Sequence, residues 1–172
     1  MFGYLVIKFI HHKDIRQEGS GNVGARNAGR EHGKKEFFLI FLGDALKGVI
    51  VVVMATVFKI PEYFQLLGLM LCIIGHMKPV TLNFKGGKGI STFIGGVIAF
   101  EPLSVPIIII AFLIMYPFLK SFTIAGLGSF LFIPIFLLYR GYDWTSCLII
   151  YIILLIICMA HSENISERLR KT

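Results

Sequence analysis

The feature that most constrains this chain is the run from Phe37 to Phe58, whose only charges are Asp44 and Lys47. A helix needs roughly 20 apolar residues to cross the hydrocarbon of a bilayer, and this run has that length. Further apolar runs follow at 63–77, 89–100, 103–119, 122–139 and 143–160. Lipid offers the backbone no hydrogen bonds, so such runs have to be helices that satisfy their own amides. Hydrophobic residues make up 56% of the 172, with a mean hydropathy of +0.79. A soluble domain of that size lacks the interior to hide so much apolar surface. The expected fold is therefore an all-α polytopic membrane protein forming one domain over 1–172. It has about seven membrane segments. Met1 to Ile10 is too short for a full span and reads as a truncated first segment, and 89–100 reads as a short half-helix. Pro106 and Pro117 are expected to kink the segment over 103–119.

The net charge is +7. In a membrane protein that excess points to cytoplasmic loops or an anionic substrate rather than to nucleic acid. When the seven segments alternate, thirteen of the seventeen Lys and Arg residues fall on one side. Only Lys59 and Arg140 fall in loops on the other. The positive-inside rule makes the richer side cytoplasmic. That side carries three polar stretches: His11–Glu36, Gly75–Thr92 and the tail from His161. Cys72, Cys147 and Cys158 lie in apolar runs without paired spacing and read as packing residues. No cleavable signal peptide is recognised in Met1–Ile10, and neither a zinc signature nor another metal site is indicated.

The first stretch contains Gly19-Ser20-Gly21-Asn22-Val23-Gly24-Ala25-Arg26-Asn27-Ala28-Gly29-Arg30. Its glycines permit close backbone approach to a ligand. Its Ser, Asn and Arg side chains suit a phosphate. A flexible, positively charged loop accounts for the same composition. The second stretch carries Lys85-Gly86-Gly87-Lys88-Gly89 just before a helical segment, where amides and lysines together attract an anion. It is not a nucleotide-binding P-loop, because Leu82 stands where the first Gly belongs and Gly89 follows Lys88. A cationic membrane anchor is the competing reading. His76 could be a packing or interfacial residue or a catalyst. Asp44 and Lys47, three apart, can pair on one helix face, and Gly43 and Gly48 beside them allow close helix contact. His161 and Asn164 share a face if the last helix continues.

Four pieces in this order, GSGNVGARN with Arg30, GDALKG at Gly43–Gly48, GHMKPVTLNFKGGKG, and HSENI, resemble the bacterial membrane glycerol-3-phosphate acyltransferase family called PlsY. The resemblance covers nearly the whole chain. It implies a seven-helix membrane fold in the cell membrane with a cytoplasm-facing site and no cofactor. It also implies acyl transfer from acyl phosphate to glycerol-3-phosphate, yielding lysophosphatidic acid and inorganic phosphate. By motif position, Ser20, Arg30, Lys88, His161 and Asn164 become the catalytic set. Asn22, Gly24, Asn27, His76, Lys85, Gly86, Gly87 and Gly89 become the substrate contacts. His161 or the substrate's own phosphate accepts the hydroxyl proton, while Arg30 and Lys88 offset the repulsion of two anions. The chain departs from the family pattern at Arg26, usually Thr, and at Lys78, usually aromatic. In the tail, Glu167 takes an Arg place and Arg168 follows one residue late. An inactive paralogue serving membrane assembly, or an organic-phosphate transporter, are the other classes compatible with the sequence.

Overall fold

The computed structural model describes residues 1–162 and residue 166, and among these it is all-helical. The helices are α1 (Phe2–His11), α2 (Ala25–Glu31), α3 (Lys34–Val57), α4 (Glu62–Met77), α5 (Ile90–Phe100), α6 (Ser104–Leu119), α7 (Phe122–Phe130), α8 (Phe132–Tyr139) and α9 (Trp144–Ala160). Short 3₁₀ turns occupy Ile15–Gln17 and Val80–Leu82. Three stretches are long and apolar enough to cross a membrane: Lys34–Val57, Glu62–Leu82 and Phe122–Tyr139.

Prolines stand near two helix boundaries. Pro106 lies in the first turn of α6, where a residue has no intrahelical acceptor for the N–H that proline lacks, and Pro117 lies inside the helix. The run over 122–139 is two helices rather than one, divided at Leu131. Pro134 has no N–H to offer the carbonyl of Phe130, and the Leu131 amide bonds the Gly128 carbonyl in the tighter i→i−3 pattern.

α3 buries polar and small residues and exposes apolar ones. Asp44, Gly43, Gly48, Ile40 and Val52 face inward, while Leu42, Leu46, Ile50 and Val57 face outward. That is the arrangement required when the solvent is lipid and charge has to face the bundle interior. α3 packs most extensively against α5. A Cβ on Gly48 would fall 2.1 Å from the Thr92 carbonyl oxygen, and one on Gly95 would fall 2.1 Å from that of Ala45. The two backbones are therefore in direct contact, and Thr92 Oγ1 locks the crossing by donating to the Asp44 carbonyl at 3.0 Å.

The main core joins α4 (Leu66, Leu69, Ile73), α5 (Phe93, Val97), α7–α8 (Leu127, Phe130, Ile133, Leu137) and α9 (Ile150, Ile153, Ile157). A second, smaller cluster of Ile7, Ile15, Val23, Ala25, Ala28 and Ile40 seats the first polar stretch on α1 and α3. Phe2 of α1 lies where a side chain at Gly43 would go.

Contacts distinguish two ends. At one, Glu101 is buried at the close of α5. It accepts hydrogen bonds from Leu103 N, from Arg140 Nε at 3.2 Å and from the Tyr142 hydroxyl at 3.1 Å. Thr56 and Gln65 bond across the α3–α4 turn at this same end, where Glu62 also faces Tyr142 electrostatically. The opposite end brings His161 together with Arg26 of the first polar stretch and Lys88 of the second.

Candidate functional site

The first wall of the site is the loop before α2. Gly19 and Gly21 have φ of +53° and +70°, a backbone conformation that favours glycine. Asn27, on α2 and 3% exposed, clips this turn: its Oδ1 accepts from Ser20 N at 2.9 Å and its Nδ2 donates to the Glu18 carbonyl at 2.9 Å. Both ends of the Asn27 amide thus bond backbone and hold the Ser20 turn. Ser20 is exposed, Asn22 is half-buried and Gly24 caps the start of α2. Arg30 is exposed on the last turn of α2, close enough to Arg26 for their charges to repel. The loop is further fixed by Glu18, which bonds His32 Nε2 at 2.7 Å and pairs with Lys13 at 3.0 Å.

The second wall is the loop between α4 and α5. Its two glycine amides turn inward: Gly86 N donates to the Met77 carbonyl and Gly87 N to that of His76, closing the end of α4. The amides expected to face an anion are those at the start of the following helix, and these two glycines lie just before it. The N–H groups without an intrahelical acceptor are those of the first turn of α5, beginning after Gly89. Gly89 has φ +83° and packs toward Ile73 and Ile157. Lys85 is exposed and Lys88 half-buried beside that turn. His76 is buried beneath the loop, its Nδ1 3.1 Å from Lys47 Nζ.

His161 forms the third wall, at the C-cap of α9 and 6% exposed. Its Nδ1 lies 2.8 Å from the Ile157 carbonyl. A carbonyl only accepts, so Nδ1 carries the proton and Nε2 keeps a lone pair. Burial pushes the imidazole below its ordinary pKa, and the cations of Lys88 and Arg26 push the same way, against the Ile157 bond. His161 is thereby held neutral near neutral pH, as a base has to be. Asn164 lies outside the described residues.

The cations named around His161 belong to the other two loops, so three distant sequence stretches meet here. Arg26 was a departure in the sequence and is part of the wall in the structure. Its guanidinium donates to Thr123 Oγ1 and lies 6.0 Å from the Phe122 ring centre, tying the first loop to the start of α7. Burial lowers its pKa, with repulsion from Arg30 second. No spacing in the sequence relates position 26 to position 123. The arrangement, a neutral imidazole with an unprotonated Nε2 amid cations, can hold an anion and remove a proton beside it.

A sequence family described as glycerol-3-phosphate acyltransferase matches residues 1–171. A glycerol-3-phosphate acyltransferase 1 of Bacillus cereus is 44% identical over 160 residues, 93% of this chain and 86% of the relative. One from Desulfitobacterium hafniense is 34% identical over 170 residues, 99% of this chain and 84% of the relative. Crystal structures of PlsY, an integral membrane glycerol 3-phosphate acyltransferase, are also similar. Its glycerol 3-phosphate form superposes with a TM-score of 0.88 at 32% identity, and its lysophosphatidic acid form with 0.85 at 31%. Each covers 99% of this chain and 85% of the solved one.

Proposed function

Because this chain belongs to the glycerol-3-phosphate acyltransferase family, as an integral membrane enzyme that acylates glycerol-3-phosphate in phospholipid synthesis, we propose that its donor is an acyl phosphate and that the three loops form its active site on the cytoplasmic face of the cell membrane. The observation that carries this reading is the buried His161, whose free Nε2 lies in the field of Lys88 and Arg26. Both substrates are phosphate-bearing anions. Bringing them together requires cations more than it requires an unusual nucleophile.

In this reading the glycerol-3-phosphate hydroxyl attacks the acyl carbonyl carbon, forming the ester C–O bond. The bond from that carbon to the phosphate oxygen then breaks, and inorganic phosphate leaves with the electron pair. The hydroxyl proton goes to His161 Nε2 or to a substrate phosphate oxygen. Lys88 and Arg30 hold the two phosphates, with Lys85, Asn22 and the first turn of α5 around the acceptor. Ser20 and Asn164 position the reacting hydroxyl and carbonyl. Asn27, Gly24, Gly86, Gly87, Gly89 and His76 shape the walls. The whole chain acts as one membrane-embedded unit.

Purified protein given acyl phosphate and glycerol-3-phosphate is expected to release phosphate and lysophosphatidate in equal amounts, and to give none from acyl-CoA. Turnover with acyl-CoA but not with acyl phosphate would refute the donor assignment. A probe attached at Lys120→Cys that reacts only from the periplasmic side would refute the orientation.

A further inference from the structure

The GDALKG stretch and His76 have no direct role in that chemistry, yet the fold brings them together in its interior. Lys47 Nζ lies 2.7 Å from Asp44 Oδ1 and 3.1 Å from His76 Nδ1. Asp44 is 1% exposed, and neither of its carboxylate oxygens has an aligned hydrogen-bond donor among the described residues, so its contact with Lys47 is ionic. His76 Nδ1 lies 3.7 Å from the same carboxylate oxygen. Charges buried in this way are costly in a membrane interior and persist where they serve a purpose. An ammonium donates only, so His76 Nδ1 accepts and its proton resides on Nε2. That edge of the ring sits directly beneath the loop between α4 and α5: a Cβ on Gly87 would fall 2.1 Å from Nε2. The backbone seals the contact, since Gly87 N donates to the His76 carbonyl and Gly86 N to that of Met77. Lys88 is the next residue.

We propose that Asp44, Lys47 and His76 are positioning residues that set the height of the Gly86–Gly87 loop, and through it the grip of Lys88 on the phosphate of glycerol-3-phosphate. The chain of contacts is continuous. α3 fixes the Asp44–Lys47 pair, Lys47 orients the imidazole, and the imidazole supports Gly87. This rests on the assignment of the loop between α4 and α5 to the acceptor substrate.

The test is a double-variant cycle between positions 76 and 87 on the full-length protein in detergent, read as kcat, KM for each substrate, and Tm. Gly87→Ala has an ordinary backbone conformation to adopt, so its effect comes from the ring beneath it. It is expected to raise KM for glycerol-3-phosphate about tenfold, with KM for acyl phosphate and Tm nearly unchanged. His76→Ala is expected to give the same signature. The double variant is expected to be no worse than His76→Ala, because the smaller side chain makes room for the new methyl. If His76→Ala does not yield folded protein, His76→Asn, which keeps an acceptor for Lys47, takes its place. Lys47→Met is expected to share the KM signature, because it removes the donor that orients the ring. A merely structural role would lower Tm and the yield of active protein without singling out one KM. Additive losses at 76 and 87, or an unchanged KM in Gly87→Ala, overturn the inference. Lys88→Met separates this from the reading beneath it. If it leaves KM for glycerol-3-phosphate unchanged while 76 and 87 remain coupled, the acceptor assignment falls instead.

Discussion

Replacing Gly95 by Ala at the α3–α5 crossing tests how tightly the site depends on helix packing. The new Cβ would lie 2.1 Å from the Ala45 carbonyl oxygen, 2.7 Å from its carbon and 2.9 Å from its Cα. These are backbone atoms and have no rotamer by which to yield. Carbon and oxygen settle near ~3.3 Å, so the helices have to part by about 1 Å. The overpacking is expected to cost about 1–3 kcal/mol. In a chain of this length that lowers Tm by roughly 3–9 °C. The functional loss is larger than the stability loss. α5 starts immediately after Lys88-Gly89, and a displacement of about 1 Å at reacting groups costs on the order of a hundredfold in rate. The assay is thermal unfolding and kcat in the same detergent, with Gly126→Ala in parallel. Nothing lies within 4 Å of that methyl, so it should be neutral or stabilising by up to about 1 kcal/mol, the helix preference of Ala over Gly. If Gly95→Ala matches Gly126→Ala in both readouts, the close backbone contact is not what holds α5 in place.

The other expectations concern single groups. Asn27→Ala removes both clips on the Ser20 turn and is expected to destabilise by about 1–3 kcal/mol while lowering kcat, checked by Tm and turnover; unchanged kcat would mean the turn holds without it. The pKa of His161 is lowered by burial first, so the neutral form favours folding: this contribution is complete above the unfolded histidine pKa of about 6.5 and is lost as pH falls through the lower folded value. Tm of the wild type should therefore drop on acidification below that point, and His161→Asn should flatten the drop while reducing kcat about 10²–10⁴-fold. Tyr142 is pushed up to about 12 by burial first, then by its bond to Glu101 and that carboxylate's charge. Its contribution is whole below the ordinary tyrosine pKa of about 10 and is lost as pH rises toward the folded value. Absorbance titration should show a late-ionising tyrosine that shifts down in Glu101→Gln.

Most of the fold is legible in the sequence because membrane segments declare themselves by composition. The half-helix over 89–100 is marked by Glu101-Pro102, and α5 ends there. The Asp44–Lys47 pair follows from their spacing, and the close contact at Gly48 from residue size. The break at Leu131 is harder to see, since it depends on a proline three residues further on inside an unbroken apolar run. The third partner of the ion pair could not be read at all: His76 is 29 residues from Lys47, and helix periodicity says nothing about which helices become neighbours. The same holds for Arg26 and Thr123. What a glycine does for the fold is also hard to read. In Gly86 and Gly87 the missing side chain serves the fold, by allowing the loop to lie on His76, and their amides close α4. Asn27 reads as a ligand contact in the sequence, and its role as a clip on the Ser20 turn could not be read there.

The brevity of α5 has a consequence for where the reaction takes place. From Glu101, tied to Arg140 and Tyr142 at one rim, eleven helical residues rise only about 16 Å before Lys88 is reached. Hydrocarbon is about 30 Å thick. A helix of that length covers only about half of it, so in the proposed function Lys88 lies within the depth of the bilayer beside the longer α3. On that proposal a water-soluble glycerol phosphate has to enter to the same depth. The same proposal puts the chain of the lipid formed there level with the tails of its neighbours, so that it departs sideways into the leaflet without passing through water.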